Sequence, residues 1–210
     1  MADDGLQARL LAGAQELGIA LEAGQAERLL RLVAELRDWN TRMNLTAITG
    51  PADIVDKHLL DSLTLRPHLH GRRIADVGSG AGFPGLPLAL VDPAREFTLI
   101  EATGKKLRFI EHAIETLGIG NAGAVGERAE AYRPQKPFDC VIARALGRIG
   151  DFLRVAAHLC ARDGRMLAMK GRHPTDELAA LPRGWRVGAV HDLRVPGLAA
   201  ARCVVVLERS

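Results

Sequence analysis

Between Leu29 and Met43, apolar residues recur every three or four positions: Leu29, Leu32, Val33, Leu36, Trp39 and Met43. Glu27, Arg28, Arg31, Glu35, Arg37 and Asp38 occupy the positions between them. That spacing predicts a helix with one buried face, within a helical stretch over 5–43. The charged side reads as solvated. The pattern breaks from Asn40 to Pro51, where Asn44-Leu45-Thr46 predicts a turn or cap, and resumes over 52–66 with Ile54, Val55, His58, Leu59, Ser62 and Leu65. From Arg73 onward, short apolar runs alternate with helical stretches. Strands are predicted at 73–78, 96–101, 122–126, 138–143 and 165–170, and helices near 84–91, 104–117, 128–132 and 150–161. Two further strand-like runs, 186–193 and 202–207, joined through Pro196-Gly197, read as a closing antiparallel hairpin.

Alternation of this kind argues for a parallel sheet covered on both faces. The predicted fold is α/β and Rossmann-like. It has a seven-stranded sheet with an antiparallel C-terminal hairpin (71–210), preceded by a helical extension (1–70). The length of 210 residues suits one good-sized core with an appendage. No apolar run approaches membrane-spanning length, and Met1-Ala2-Asp3-Asp4 is unlike a secretory leader. Cys140, Cys160 and Cys203 are widely spaced and read as reduced packing residues in a cytoplasm. A net charge of +3 permits a nucleic-acid partner without requiring one. No heptad repeat demands a second chain, so a monomer is expected.

The stretch from Ile74 to Pro87 changes the picture most. An apolar run containing Asp76 leads into Gly78, Gly80, Gly82 and Gly85, and Pro84 or Pro87 suits a first helical turn. The glycines permit positive φ angles and close approach to a ligand. A strand–loop–helix with free amides at the helix start is a nucleotide cradle, and two registers fit it. Gly80, Gly82 and Gly85 satisfy the dinucleotide pattern G-x-G-x-x-G, which predicts a nicotinamide-dependent oxidoreductase. The other register, Asp76-x-Gly78-x-Gly80-x-Gly82, resembles motif I of class I methyltransferases, which use S-adenosyl-L-methionine. The second is preferred, because a dinucleotide loop has no use for the acid at position 76. Ser79 and Phe83 belong to the same expected cofactor loop.

Ligands of such sheets bind beyond the carboxyl ends of the strands. Glu101 ends the second strand at the spacing of an acid that binds a ribose. Gly126-Glu127-Arg128-Ala129-Glu130 follows the third, where an acid or a backbone amide can meet an adenine amino group. Arg144 follows the fourth, and Lys170 and Arg172 the fifth; these three are expected along one rim, extended by Lys105, Lys106 and Arg108. A basic rim beside a cofactor cleft suggests a phosphate-bearing substrate. His58, Asp61 and Ser62 are placed on one helical face and, with Lys105 and Arg202, are expected to bind the substrate. The first three make a poor hydrolase triad, since Ser62 sits on no nucleophile elbow. His68 and His70 have no further ligand at metal spacing, so no metal is expected.

Taken in order, these residues resemble the bacterial small-subunit rRNA methyltransferase G family. The resemblance is carried by Asn44-Leu45-Thr46, His58 with Asp61-Ser62, Asp76 through Leu88, Glu101 with Lys105-Lys106 and Phe109, Arg144-Ala145, Lys170-Gly171 and Arg202. It covers nearly everything beyond about residue 30. It implies methylation of N7 of one guanine in the 530 loop of 16S rRNA, with the small ribosomal subunit as partner. It also implies cofactor contacts at Gly78, Phe83, Ala129, Glu130 and Arg144. The chemistry agrees, because no Asn/Asp-Pro-Pro-aromatic motif and no Pro-Cys nucleophile is present, and guanine N7 already offers a lone pair. Alignment and exclusion of water then suffice, without a general base. Lys170 and Arg172 are expected to grip phosphates, and Arg144 to shape the pocket. A non-catalytic ribosome assembly factor is the remaining alternative.

Overall fold

Seven strands form one sheet in the order β3-β2-β1-β4-β5-β7-β6. They are β1 (Arg73–Val77), β2 (Glu96–Ile100), β3 (Ala122–Val125), β4 (Phe138–Arg144), β5 (Cys160–Lys170), β6 (Trp185–Asp192) and β7 (Cys203–Arg209). β1 to β5 pair in parallel, and β7 runs antiparallel between β5 and β6. The strand order reverses between β1 and β4, which is where ligands bind in open α/β sheets. The structure is a computed structural model that describes residues 2–210. Of the acidic start, Met1 and the side chains of Ala2 and Asp3 lie outside the described residues. Among the described residues, no helix is long and apolar enough to cross a membrane.

The helices are α1 (Ala2–Glu16), α2 (Ala23–Met43), α3 (51–63), α4 (Gly85–Val91), α5 (Gly104–Thr116), α6 (Ile149–Ala156) and α7 (Thr175–Ala179). Within α3, Val55–Leu60 is a π-helical turn. On one sheet face, Leu10, Leu29, Leu32, Leu59 and Leu63 of the first three helices share a core with Leu86, Phe109, Ile142, Leu167 and Val204. On the other, Phe152 and Leu153 of α6 pack on Ala75, Val77, Val141, Ala168 and Val205. The period-two alternation of strands therefore decides where each strand-end residue points. Arg144 shares parity with Ile142, and Arg202 with Val204, so both face α3. Lys170 shares parity with Ala168 and faces α6.

The structure departs from the sequence pattern in three places. The expected helix over 5–43 is broken after Glu16, because Gly18 adopts φ +70° and the Ile19 N–H turns back to the Ala14 carbonyl. Residues 128–132 form a turn closed by Ala131 and Tyr132 N–H groups on the Arg128 carbonyl. The helix expected to reach 161 gives way to β5 at Cys160, whose first residues are too polar to show as a strand.

Candidate active site and cofactor cleft

After β1 the chain turns at once. Gly78 and Ser79 donate their N–H groups to the Ile100 carbonyl (2.9 and 3.3 Å), and Ser79 Oγ donates to the Asp76 carbonyl (2.9 Å). Gly78 has φ +67°, and a β-carbon there would lie 2.7 Å from Leu146 Cδ1. Asp76 Oδ2 accepts the Gly85 N–H at 2.8 Å, and a β-carbon on Gly85 would stand 2.8 Å from that same oxygen. Asp76 thus requires the glycine that completes the literal dinucleotide pattern, and the two registers describe one loop.

The loop amides expected to be free are already engaged, two of them by carboxylates. Gly80 N–H goes to Glu101 Oε2 (2.9 Å), Gly85 N–H to Asp76, and Leu86 N–H to the Gly82 carbonyl (2.7 Å). A dinucleotide loop presents such amides to a pyrophosphate. Here two buried acids hold them, which disfavours an anion and suits a cation. Burial pushes the Asp76 carboxyl up to about 7, a rise that the Gly85 amide and Arg144 offset only in part. Asp76 Oδ1 is buried with no hydrogen-bond partner among the described residues.

Beside this loop opens a cavity of about 390 Å³, lined by Val77, Gly78, Glu101, Ala129, Glu130 and Leu146 among others. Glu101 Oε1 accepts the Thr103 N–H at 2.8 Å, so each oxygen spends one lone pair on the backbone and keeps one for a ribose hydroxyl. Ala129 is buried and Glu130 exposed at the far end. Glu101, with a lone pair left on each oxygen, and the apolar slot beside it fit the nucleoside of S-adenosyl-L-methionine, and the buried Asp76 carboxyl behind the loop suits its cationic rather than an anionic tail.

A second cavity, about 440 Å³, has Ile48, His58, Asp61, Arg144, Lys170 and Arg202 in its lining, with Phe83 behind His58 and Arg144. Arg144 Nη1 donates to Asp61 Oδ2 (3.0 Å) and to the Lys57 carbonyl (3.1 Å). Its Nη2 lies 3.1 Å from His58 Nδ1, and its guanidinium carbon 5.7 Å from the Phe83 ring centre. Arg202 Nε donates to Asp61 Oδ1 at 3.2 Å, so one buried carboxylate holds two guanidiniums. The His58 ring stacks on Phe83 at 4.7 Å and 18°.

Several expected site residues lie apart from this cluster. Ser62 is buried and its hydroxyl turns back to the His58 carbonyl of its own helix. Lys105 Nζ donates to the Asn44 carbonyl at 3.3 Å. Lys170 lines the same cavity, but its Nζ turns to the other sheet face, where Glu177 (2.8 and 3.0 Å) and the Gly147 carbonyl (2.7 Å) engage it. Arg172 is exposed over a wide open hollow with Arg148 and His173. Thr46 as the partner of His58, and Glu177 as that of Lys170, are bonds that no spacing in the sequence signals. Strand parity was the available signal for separating Lys170 from Arg144.

The sheet order and the carboxylate-held glycine loop define the methyltransferase class of α/β proteins. Solved structures of this fold include the glycopeptide N-methyltransferase MtfA complexed with S-adenosyl-L-homocysteine (TM-score 0.62, 12% identity, 73% of this chain and 87% of that one). Another is TrmN from Thermus thermophilus (TM-score 0.56, 21% identity, 81% of this chain and 53% of that one). Within the class, the chain belongs to the rRNA small subunit methyltransferase G family, whose model matches residues 25–205. Ribosomal RNA small subunit methyltransferase G of Pseudomonas paraeruginosa is 46% identical over 202 residues, covering 96% of this chain and 94% of the relative. That of Nitrosococcus oceani is 47% identical over 192 residues, covering 91% and 90%.

Proposed function

We propose that this chain methylates N7 of a guanine in the 530 loop of 16S rRNA, acting on the small ribosomal subunit with S-adenosyl-L-methionine as donor. The observation that carries the reading is the pair of carboxylates on the amides of the loop after β1. They favour a cationic nucleoside over a pyrophosphate, and so weigh against the oxidoreductase alternative. When bound, the cofactor supplies an electrophilic methyl group on a sulfonium.

The chain's own part is to bind, align and exclude water. The cavity beside Phe83 takes a guanine turned out of its strand. N7 attacks with its own lone pair, and no residue needs to remove a proton. The methylated purine is cationic, which two bare guanidiniums would oppose. Asp61, bonded to both Arg144 and Arg202, reduces that opposition while leaving their outer N–H groups to contact the base or its phosphates. Arg172 and Arg148 are exposed for the flanking backbone.

The test is to incubate the protein with methyl-labelled S-adenosylmethionine and small subunits lacking the modification, then map the labelled nucleotide. Label on N7 of one guanine in the 530 loop is the expected result. Label on another atom or another RNA would overturn the assignment, and no transfer at all would favour the assembly-factor alternative.

A further inference from the structure

We propose that Thr46 is a positioning residue for methyl transfer: its hydroxyl accepts the His58 Nε2–H and so fixes the ring that holds Arg144 over Phe83. The loop between α2 and α3 is then part of the active site. This inference rests on the methyl-transfer reading above.

The argument starts from what an arginine can do. A guanidinium has donors only. Arg144 Nη2 lies 3.1 Å from His58 Nδ1, so Nδ1 accepts. An imidazole accepting at Nδ1 is neutral and carries its proton on Nε2, which stands 3.0 Å from Thr46 Oγ1. Thr46 Oγ1 accepts that proton's bond, and also accepts the Ile48 N–H at 3.1 Å. Burial first, and Arg144 second, hold His58 down at about 3, with the Lys57 carbonyl opposing both. The remaining charges nearby do not reverse this. The Lys57 ammonium is paired with Asp53 at 2.6 Å, and Asp61 is bonded to Arg144 and Arg202.

Thr46 is itself fixed from two sides. Asn40, in the last turn of α2, accepts the Leu45 and Thr46 N–H groups on Oδ1 (2.7 and 2.9 Å) and donates Nδ2 to the Thr46 carbonyl (3.0 Å). Lys105, in the first turn of α5, donates to the Asn44 carbonyl. Five side chains therefore connect the N-terminal helices to the cofactor loop: Asn40, Thr46, His58, Arg144 and Phe83.

Without an acceptor at position 46, the buried Nε2–H loses its partner, and the ring gains by turning or by moving its proton against Arg144. With the proton on Nδ1, two donors face each other at 3.1 Å, and the guanidinium must leave its place beside Phe83. A displacement of about 1 Å near reacting atoms costs on the order of a hundredfold in rate.

The experiment reads the tautomer and the rate together. In protein labelled with 15N-histidine, with the His58 signals assigned by their absence from His58→Gln, the expected spectrum is that of a neutral Nε2–H imidazole, unchanged from pH 5 to pH 8. In Thr46→Val the Nε2–H resonance shifts as its hydrogen bond is removed, or the signature is lost, and kcat on small subunits falls about 10- to 100-fold. Affinity for S-adenosylhomocysteine stays as in the unmodified protein, and Thr46→Ser restores both signature and kcat. An Nδ1–H tautomer or a His58 titration between pH 5 and 8 in the unmodified protein overturns the proposal. So does wild-type kcat in Thr46→Val. Because the first measurement needs no variant at position 46, a Thr46→Val chain that fails to fold still leaves the idea open to refutation. Failure of the methyl-transfer reading would appear separately, as inactivity of the unmodified protein with its tautomer intact.

Discussion

Replacing Asp76 by Asn separates what that carboxyl costs the fold from what it gives the cofactor. The Asp76 side chain is 1% exposed, and burial raises its pKa from 3.8 to about 7. The native state therefore holds a proton that the unfolded chain has already released between about pH 4 and 7. The stability owed to this group is full below that window, declines through it, and is lost above about pH 7. At about 1.36 kcal/mol per pH unit, the interval amounts to about 4 kcal/mol. Asp76→Asn removes the charge and keeps a carbonyl to accept the Gly85 N–H. The new amide donors add a cost of about 1–3 kcal/mol that does not depend on pH.

Urea unfolding of both proteins from pH 5 to pH 8 measures the difference. The gap between the two stabilities should move by roughly 3 kcal/mol in favour of the variant as pH rises. Its absolute value at one pH decides nothing. Calorimetric titration with S-adenosylhomocysteine should show the reverse preference. At pH 8 the variant should bind about tenfold more weakly or worse, the outcome expected of an ionised carboxyl lost from beside a cationic ligand. At pH 6, where the native carboxyl is itself protonated, the two affinities should converge. Parallel stability curves across the whole range would refute the reasoning, because they would mean that Asp76 does not titrate where its burial places it.

Three further outcomes follow from the geometry. Gly85→Ala puts a β-carbon 2.8 Å from Asp76 Oδ2 and from Leu99 Cγ, and thermal or urea unfolding should show a loss of about 1–3 kcal/mol; an unchanged midpoint would mean that α4 can shift away. Glu101→Gln leaves one oxygen for two backbone donors and the ribose, so calorimetry should find S-adenosylhomocysteine bound at least about tenfold more weakly in a chain of native circular dichroism. Wild-type affinity would remove Glu101 from the ribose site. Glu177→Gln weakens the hold on the Lys170 ammonium, and RNA binding should tighten at low salt with a log–log salt slope steeper by about one; an unchanged slope would show that Lys170 does not reach a phosphate.

How far the sequence could be read depends on how local each signal is. Hydrophobic period gave the sheet, its antiparallel end and the apolar stripe of α2, because those patterns repeat within a few residues. It missed the break after Glu16, where apolar residues continue through the turn: Leu17, Ile19 and Leu21 still pack against the core around Gly18. The glycine loop was legible as a cradle. The occupancy of its amides was not, because Glu101 lies 21 residues from the Gly80 it bonds.

The basic residues show the limit most sharply. Arg144 and Lys170 end strands and Arg202 immediately precedes one at the same edge of the sheet, and adjacency in the topology alone places them on one rim. Strand alternation divides them. Arg144 and Arg202 fall on the face of α3, and Lys170 on the face of α6. The first two then meet at Asp61, 83 and 141 residues away along the chain, across a helix whose π-helical turn no periodicity announces. An ion pair that is selected by packing at such separations leaves no spacing rule in the sequence. The parity of each residue within its strand is what remains, and it separates Arg144 and Arg202, which meet at Asp61, from Lys170, which Glu177 holds.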